Sequence, residues 1–259
     1  MDNNKRFFTL LIIMRRIISI ILLALVVMTA AAQKRKVQNK PYIDLRPLHF
    51  GISLGVNLQD AETSNVGPQL MEDGTVRTIT CDVDNWNPGF SVGVLGDMRI
   101  SDNFNLRVSP TLHFGSKHLV FRDFDNLNDA GQPREETQDL KNTYLAVPID
   151  LKFSAPRFNN YRPYVIAGFS PMINMSSKSQ DYVQLKRYDA MINVGLGCDL
   201  YLPFFKLIPE LKFCYGLTNT LDKNHVNELT DANKRVFSNS VNGIDGIRTK
   251  MFLFTLYFE

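Results

Sequence analysis

The chain has 259 residues, 44% of them hydrophobic and 21% charged, which suits one large folded domain and excludes a disordered protein. Its formal charge of +3 is concentrated at the start, where Lys5, Arg6, Arg15 and Arg16 stand against Asp2. Beyond residue 32 the chain holds 25 basic and 25 acidic residues, so the charge implies no nucleic-acid partner.

The basic start leads into the apolar run IISIILLALVV (17–27), and Ala30, Ala31 and Ala32 precede Gln33. This order predicts a secretory signal peptide over 1–32, cut between Ala32 and Gln33. The apolar run is short of the ~20 residues that a membrane-spanning helix needs. Met14 offers an alternative start with a tighter basic region. Three cysteines, Cys81, Cys198 and Cys214, have neither an even count nor metal-binding spacing, and are read as unpaired.

Residues 33–48 begin QKRKVQNKPYIDLRP, show no periodicity and read as an extended, periplasmic N-terminal tail. From 49 to 259 the pattern changes to period two. HFGISLGVNL (49–58) places Phe50, Ile52, Leu54, Val56 and Leu58 at alternate positions, the signature of a strand. The alternation recurs in 89–100, 105–115, 143–153, 162–174, 190–202, 206–217 and 249–259, giving eight predicted strands of about the length that crosses a bilayer at a tilt. The connections at 59–88, 116–142 and 218–247 are long, the one at 175–189 is intermediate, and those near 101–103, 154–161 and 203–205 are short.

Long loops at one end and tight turns at the other predict an all-β fold, an eight-stranded up-and-down antiparallel transmembrane β-barrel of the outer-membrane type, whose closure leaves no strand edge exposed in lipid. A soluble calycin-like barrel is the structural competitor. Small or charged residues between the apolar ones, and aromatics near strand ends (Phe50, Phe90, Phe114, Phe153, Phe258), favour the membrane form. An even strand count places both ends of the mature chain in the periplasm, with the long loops outside.

Eight strands enclose only enough space for side chains. The inward set comprises Asp97, Arg99, Arg107, His113, Asp150, Lys152, Asp199, Glu210 and Lys212. The charged members form an expected lumen ion network, with Asp97 opposite Arg107 across the tight turn. A catalytic reading would join His113 to Ser91, Ser109 or Asp150, but a lipid substrate does not meet a lumen, and spacing alone assembles no nucleophile, base and orienting group. No enzymatic activity is expected, nor any cofactor, metal or small-molecule substrate. DVDNWNPG (82–89) and DFDNLNDAG (123–131) carry acidic pairs without the spacing of a calcium loop. Trp86 reads as an interface anchor, and Cys198 and Cys214 fall on opposite faces.

LHFGISLGVN (48–57), NPGFSVGVLGDMRISDNFNLRVSPTLHFGSKHLVF (87–121), TYLAVPIDLKF (143–153), NNYRPYVIAG (159–168), PELKFCYGLTN (209–219) and the closing FTLYFE together resemble the PorT (SprT) family of the Bacteroidetes. The resemblance runs along nearly the whole mature chain. It implies a non-enzymatic outer-membrane component of the type IX secretion system, needed for export of proteases, adhesins and gliding proteins. Its partners would then be outer-membrane lipid and other components of that system. A generic outer-membrane barrel, serving as a surface binding protein or a lipid-modifying enzyme, is the alternative. Glu259 follows the aromatic Phe258, where such barrels end on the aromatic itself.

Overall fold

The computed structural model describes residues 37–70, 74–176, 181–243 and 246–259; the predicted signal peptide, its cut at Ala32 and Gln33, and residues 33–36 of the predicted tail lie outside them. Twelve strand segments follow in chain order: β1 Leu48–Thr63, β2 Pro68–Leu70, β3 Val76–Val83, β4 Asn87–Arg99, β5 Phe104–Val108, β6 Thr111–Leu127, β7 Pro133–Ala146, β8 Ile149–Ser154, β9 Tyr161–Asn174, β10 Tyr188–Tyr201, β11 Lys206–Gly216 and β12 Ile247–Phe258. Their pairings are antiparallel, and β1 pairs with β12 on one side and β4 on the other. Neighbour joins neighbour from there round to β11 and β12, so the sheet closes on itself.

The sequence expects eight strands where the structure has twelve, and proline explains two of the extra breaks. Pro110 separates β5 from β6 and Pro148 separates β7 from β8. A proline has no N–H to give to a ladder. The wall is bridged at these breaks by Val94 N donating to Pro110 O at 3.0 Å, Ser109 N to Pro148 O at 3.2 Å and Val147 N to Pro171 O at 3.0 Å. Thus β5 and β6 form one long stave beside β4, and β7 and β8 another beside β9.

The other two segments fall inside predicted loops. β3 pairs with the far end of β6, and β2 pairs with β3. Most of the predicted loop 116–142 is strand: β6 and β7 run on as a ribbon paired from Thr111↔Ala146 to Leu127↔Pro133. Its side chains alternate in polarity less cleanly than those in the barrel wall, which is why the sequence reads as loop there. The predicted loop 218–247 holds two helices, His225–Glu228 and Ala232–Ser240, the second capped by Asp231 accepting from Asn233 N at 2.9 Å. An Asp at this position satisfies an otherwise unpaired helix N–H.

The outer face of the barrel is apolar. On β1, Leu48, Phe50, Ile52, Leu54, Val56 and Leu58 are all exposed, Phe50 at 72%, and the run ends at Asp60 and Glu62. Ten residue steps at ~3.3 Å, tilted as barrel strands are, cover about 25 Å along the axis, the height of the apolar band in outer-membrane barrels. The belt continues through Val94, Leu151, Val165, Val194, Leu196 and Phe254. Trp86 sits beside Phe252 at its long-loop border, with ring centroids 5.1 Å apart. Phe90 stacks on Phe114 at 4.6 Å, and Phe104 lies 5.0 Å from Phe153.

Candidate functional site

The inward side chains form three layers, and the charged one lies toward the tight turns. Asp97 faces Arg107 in register, and Arg107 Nη2 donates to Asp97 Oδ2 at 2.9 Å while Nη1 donates to Glu210 Oε2 at 2.7 Å. Lys212 reaches Glu210 at 3.1 Å and Asp150 at 2.7 Å. Lys152 reaches Asp199 at 2.7 Å and Asp97 at 3.8 Å. The rings of Tyr164 and Tyr257 lie 5.2 Å from the Arg107 guanidinium, and both hydroxyls donate to Glu210. Every one of these side chains is buried. Buried charges are tolerated when paired and hydrogen-bonded throughout, as these are.

Of the predicted lumen residues, Asp97, Arg107, His113, Asp150, Lys152, Asp199, Glu210 and Lys212 are brought together inside. Arg99 is not. It lies at the rim, where it pairs with Asp102 of the adjoining turn, because the strand ends there and the side chain is free to turn toward solvent. The sequence reading also missed four members of the set. Lys206 bonds Glu259 at 2.7 Å and approaches Asp199 to 3.6 Å; His49 Nδ1 lies 2.5 Å from Glu259 Oε1; Asp44 accepts from Tyr201 at 2.6 Å. Extending the alternation of Ile208, Glu210 and Lys212 back by one step would have found Lys206. Glu259 continues β12 in the same way, its backbone exchanging hydrogen bonds with Lys206.

The predicted tail is docked where it is described. Residues 39–46 cross the tight-turn end through a short 3-10 turn at Ile43–Leu45. Asn39 N donates to Asn160 Oδ1 at 3.0 Å, and Asn39 Nδ2 to Tyr201 O at 2.9 Å. The Arg157 guanidinium lies 3.5 Å from the Tyr201 ring centroid and bonds the Lys40 carbonyl at 3.0 Å. A segment without periodicity still docks when its polar groups find partners one by one, and no pattern in the sequence announces that.

A neutral polar layer follows. Asn57 donates to Ser91 Oγ at 2.9 Å, and Ser91 Oγ lies 2.8 Å from His113 Nδ1. His113 borders a cavity of about 20 Å³ that Ser109, Met191, Lys212 and Thr255 also line, room for about one water. Asp150, the third group of the catalytic reading, is held instead by Lys212 and Asn193.

Toward the long loops the interior becomes apolar, a departure from the expected hydrophilic filling. Tyr144, Met172, Met191, Cys214, Met251 and Leu253 belong to a continuous core with Ile79, Phe121, Val183, Leu221, Phe237 and Val241. Loop residues and the helix Ala232–Ser240 therefore cap the barrel. Tyr182 lies 5.3 Å from both Phe121 and Phe237, and burial together with the nearby Glu136 carboxylate raises its phenol above the usual range. Lys117 is fully buried in this layer, donating to Tyr144 Oη at 3.0 Å and Thr249 Oγ1 at 3.2 Å. The acids singled out in the loops meet cations or backbone: Asp82 and Asp84 lie 3.6 and 3.4 Å from Arg122, and Asp123 pairs with Arg77. Cys81, Cys198 and Cys214 are free, with Cys214 in the interior core and Cys198 half-buried.

A closed antiparallel sheet with an apolar belt outside and a packed, charge-paired interior defines an integral membrane β-barrel. The chain belongs to the family described as outer membrane protein beta-barrel domain, which matches residues 31–222. It is an outer-membrane protein embedded in lipid. Among solved structures, Neisserial surface protein A is similar at 11% identity and a TM-score of 0.38, over 82% of this chain and 98% of that one. The outer membrane protein OprG from Pseudomonas aeruginosa is similar at 13% identity and a TM-score of 0.41, over 81% and 93%. No characterised relative with a curated description matches.

Proposed function

We propose that this barrel is a non-enzymatic component of the type IX protein secretion system, acting by contact to support export of proteases, adhesins and gliding proteins. The observation that carries the reading is the filled interior. The ion network from Asp97 through Arg107 and Glu210 to Lys212, the cap around Phe237, and the segment 39–46 across the opposite mouth leave no passage for cargo among the described residues. A barrel that conducts nothing works through its surfaces, which here are the ribbon β6–β7, the capped loops and the docked N-terminal segment. The resemblance of the strand sequences to PorT supplies the system; the even number of membrane-crossing staves and the long loops gathered at one end support termini in the periplasm and loops outside. Deleting the gene should leave cargo proteins in the periplasm; a deletion strain that secretes normally would end this assignment.

One observation favours a second reading, a lipid-modifying enzyme: Ser91 and His113 are hydrogen-bonded at 2.8 Å, as a nucleophile and its base would be. A cavity of about 20 Å³ beside them takes no acyl chain. Lipid A of altered mass in a deletion strain with intact secretion would favour this reading over the first.

A further inference from the structure

Three hydrogen-bond pairs in the barrel wall are half made, and they lie side by side. Continuing the registers Gly93↔Thr111, Val108↔Ile149 and Ala146↔Met172 by one residue sets Val94 opposite Pro110, Ser109 opposite Pro148 and Val147 opposite Pro171. Residues so placed in an antiparallel ladder exchange two bonds. Each pair keeps the bond in which the proline carbonyl accepts, at 3.0, 3.2 and 3.0 Å; the return bond needs an N–H that proline lacks. Because Ser109 adjoins Pro110 and Val147 adjoins Pro148, the gaps join into one crease that runs from β4 across both broken staves to β9. By contrast, β1 pairs with β4 and with β12 through unbroken registers. The crease lies within the apolar belt, beside the exposed Val94, Ile149 and Phe169. In hydrocarbon no water replaces a missing ladder bond, so the wall is more weakly held here than along β1.

Behind the crease the packing has a gap. The cavity of about 20 Å³ beside His113 is lined on the wall side by Ser109, Ala146, Pro148 and Ser170, which belong to the crease or adjoin it. Across the lumen it meets Met191, Met251 and Cys214. Methionine is unbranched and refills space of changing shape, so the lumen side can give way when the wall does. The two observations are independent, one concerning the main chain of the wall and the other the side chains behind it.

We propose that the wall parts along this crease and opens the cavity to the bilayer, admitting small uncharged molecules dissolved in the hydrocarbon. The route fixes their charge, because an unpaired ion is too costly to bring through an apolar medium. Closed, the cavity has room for about one water; parting of the wall enlarges it. Ala146, Met191 and Met251 then meet the apolar part of the guest, while Ser109, His113 and Thr255 offer hydrogen bonds to a single polar group. Among the described residues the ends of the barrel give no other way in, since the segment 39–46 and the ion network fill one and the core around Phe237 covers the other. The inference holds whichever system the barrel serves.

Cys214 lines the cavity and is 4% exposed, which makes its thiol a reporter of the opening. The test uses the full barrel in phospholipid nanodiscs with Cys81→Ala and Cys198→Ala, leaving Cys214 as the remaining thiol. N-phenylmaleimide, which dissolves in the bilayer, should alkylate it, whereas a charged methanethiosulfonate supplied in the water should not. Pro110→Ala, Pro148→Ala and Pro171→Ala together restore the missing donors; they should slow alkylation and the exchange of the Val94, Ser109 and Val147 amides roughly tenfold, with exchange at Leu54 on β1 unchanged. Should the triple variant not fold, Pro110→Ala alone and the native exchange pattern decide, the three crease amides exchanging roughly tenfold faster than Leu54. Failure of the maleimide to react, faster reaction with the charged reagent, or alkylation that the restored bonds leave unchanged would each overturn the proposal. Equal slowing at Leu54 would mean that Cys214 is reached by global unfolding, and would overturn it as well.

Discussion

Arg107 and Asp97 sit opposite each other across the β4–β5 ladder and are joined at 2.9 Å, both fully or almost fully buried. Arg107 also holds Glu210, so the pair is the start of a chain of charges, none of which has water to fall back on. Removing one partner of a buried pair strands the other, typically at about 3–5 kcal/mol. Asp97→Lys should therefore destabilise the barrel by at least that much, because it sets a third cation beside Arg107 and Lys152. The same change at Asp84, whose contact with Arg122 is 3.4 Å long and largely solvated, should stay within about 1 kcal/mol. Heat-modifiable mobility in detergent reads both; equal melting of the two variants would contradict the register.

Gly168 faces the lumen on β9 opposite Asp150. A Cβ there would collide with Asp150 Oδ1 and with the carbonyl of Ile149, and backbone cannot move aside as a flexible side chain can. Gly168→Ala should lower stability by about 1–3 kcal/mol through overpacking and loosen the Asp150–Lys212 contact. Gly96→Ala is the control, since its Cβ would meet nothing nearer than Val108 O at 3.5 Å. Similar melting of the two alanine variants would mean that the lumen has slack where the structure has none.

The segment at the tight-turn mouth yields a separate expectation. Asp44 gathers the Tyr201 hydroxyl at 2.6 Å, Arg157 at 3.4 Å and Arg162 at 3.9 Å. Asp44→Ala should release residues 39–46 and raise their protease susceptibility severalfold, while the barrel melts as before. An unchanged cleavage rate would show that Asn39 and Lys40 suffice to anchor the segment.

What the sequence disclosed and what it hid follow from the range of each interaction. Strict alternation at Phe50, Ile52, Leu54, Val56 and Leu58 is written locally, so the strands, the lipid-facing side and the register of Asp97 against Arg107 were all legible. The tight turn between β4 and β5 made that register a matter of counting. Lys206 and Glu259 were missed because they stand at strand ends, where alternation has no further residue to confirm it, and Asp44 because the segment before β1 has no period at all. The apolar upper core stayed hidden for another reason. Val183, Leu221 and Val241 lie outside the strands and helices and Phe237 in the short helix Ala232–Ser240, so each is an isolated apolar residue with no periodic signal until the fold gathers them.

Lipid against the outer face is what makes the lumen the polar interior of this barrel, and Leu196 and Val147 test that placement directly. Leu196 is 61% exposed on β10, in line with Val194 and Ile192, while Val147 bridges the break between β7 and β8 through its N–H to Pro171 O. If acyl chains cover this face, spin labels at 196 and 147 should collide readily with oxygen and scarcely with a water-soluble nickel chelate, whereas a label at Asp84 should show the reverse. Leu196→Lys should reduce insertion into bilayers by about 2–4 kcal/mol, the penalty for a cation near the bilayer midplane. The same change at Phe204, 91% exposed in the turn between β10 and β11, should be tolerated to within about 1 kcal/mol, because side chains near the interface lose little hydration. Labels at 196 and 147 that report water would invert the barrel's inside and outside and remove the physical basis for an ion network in its lumen.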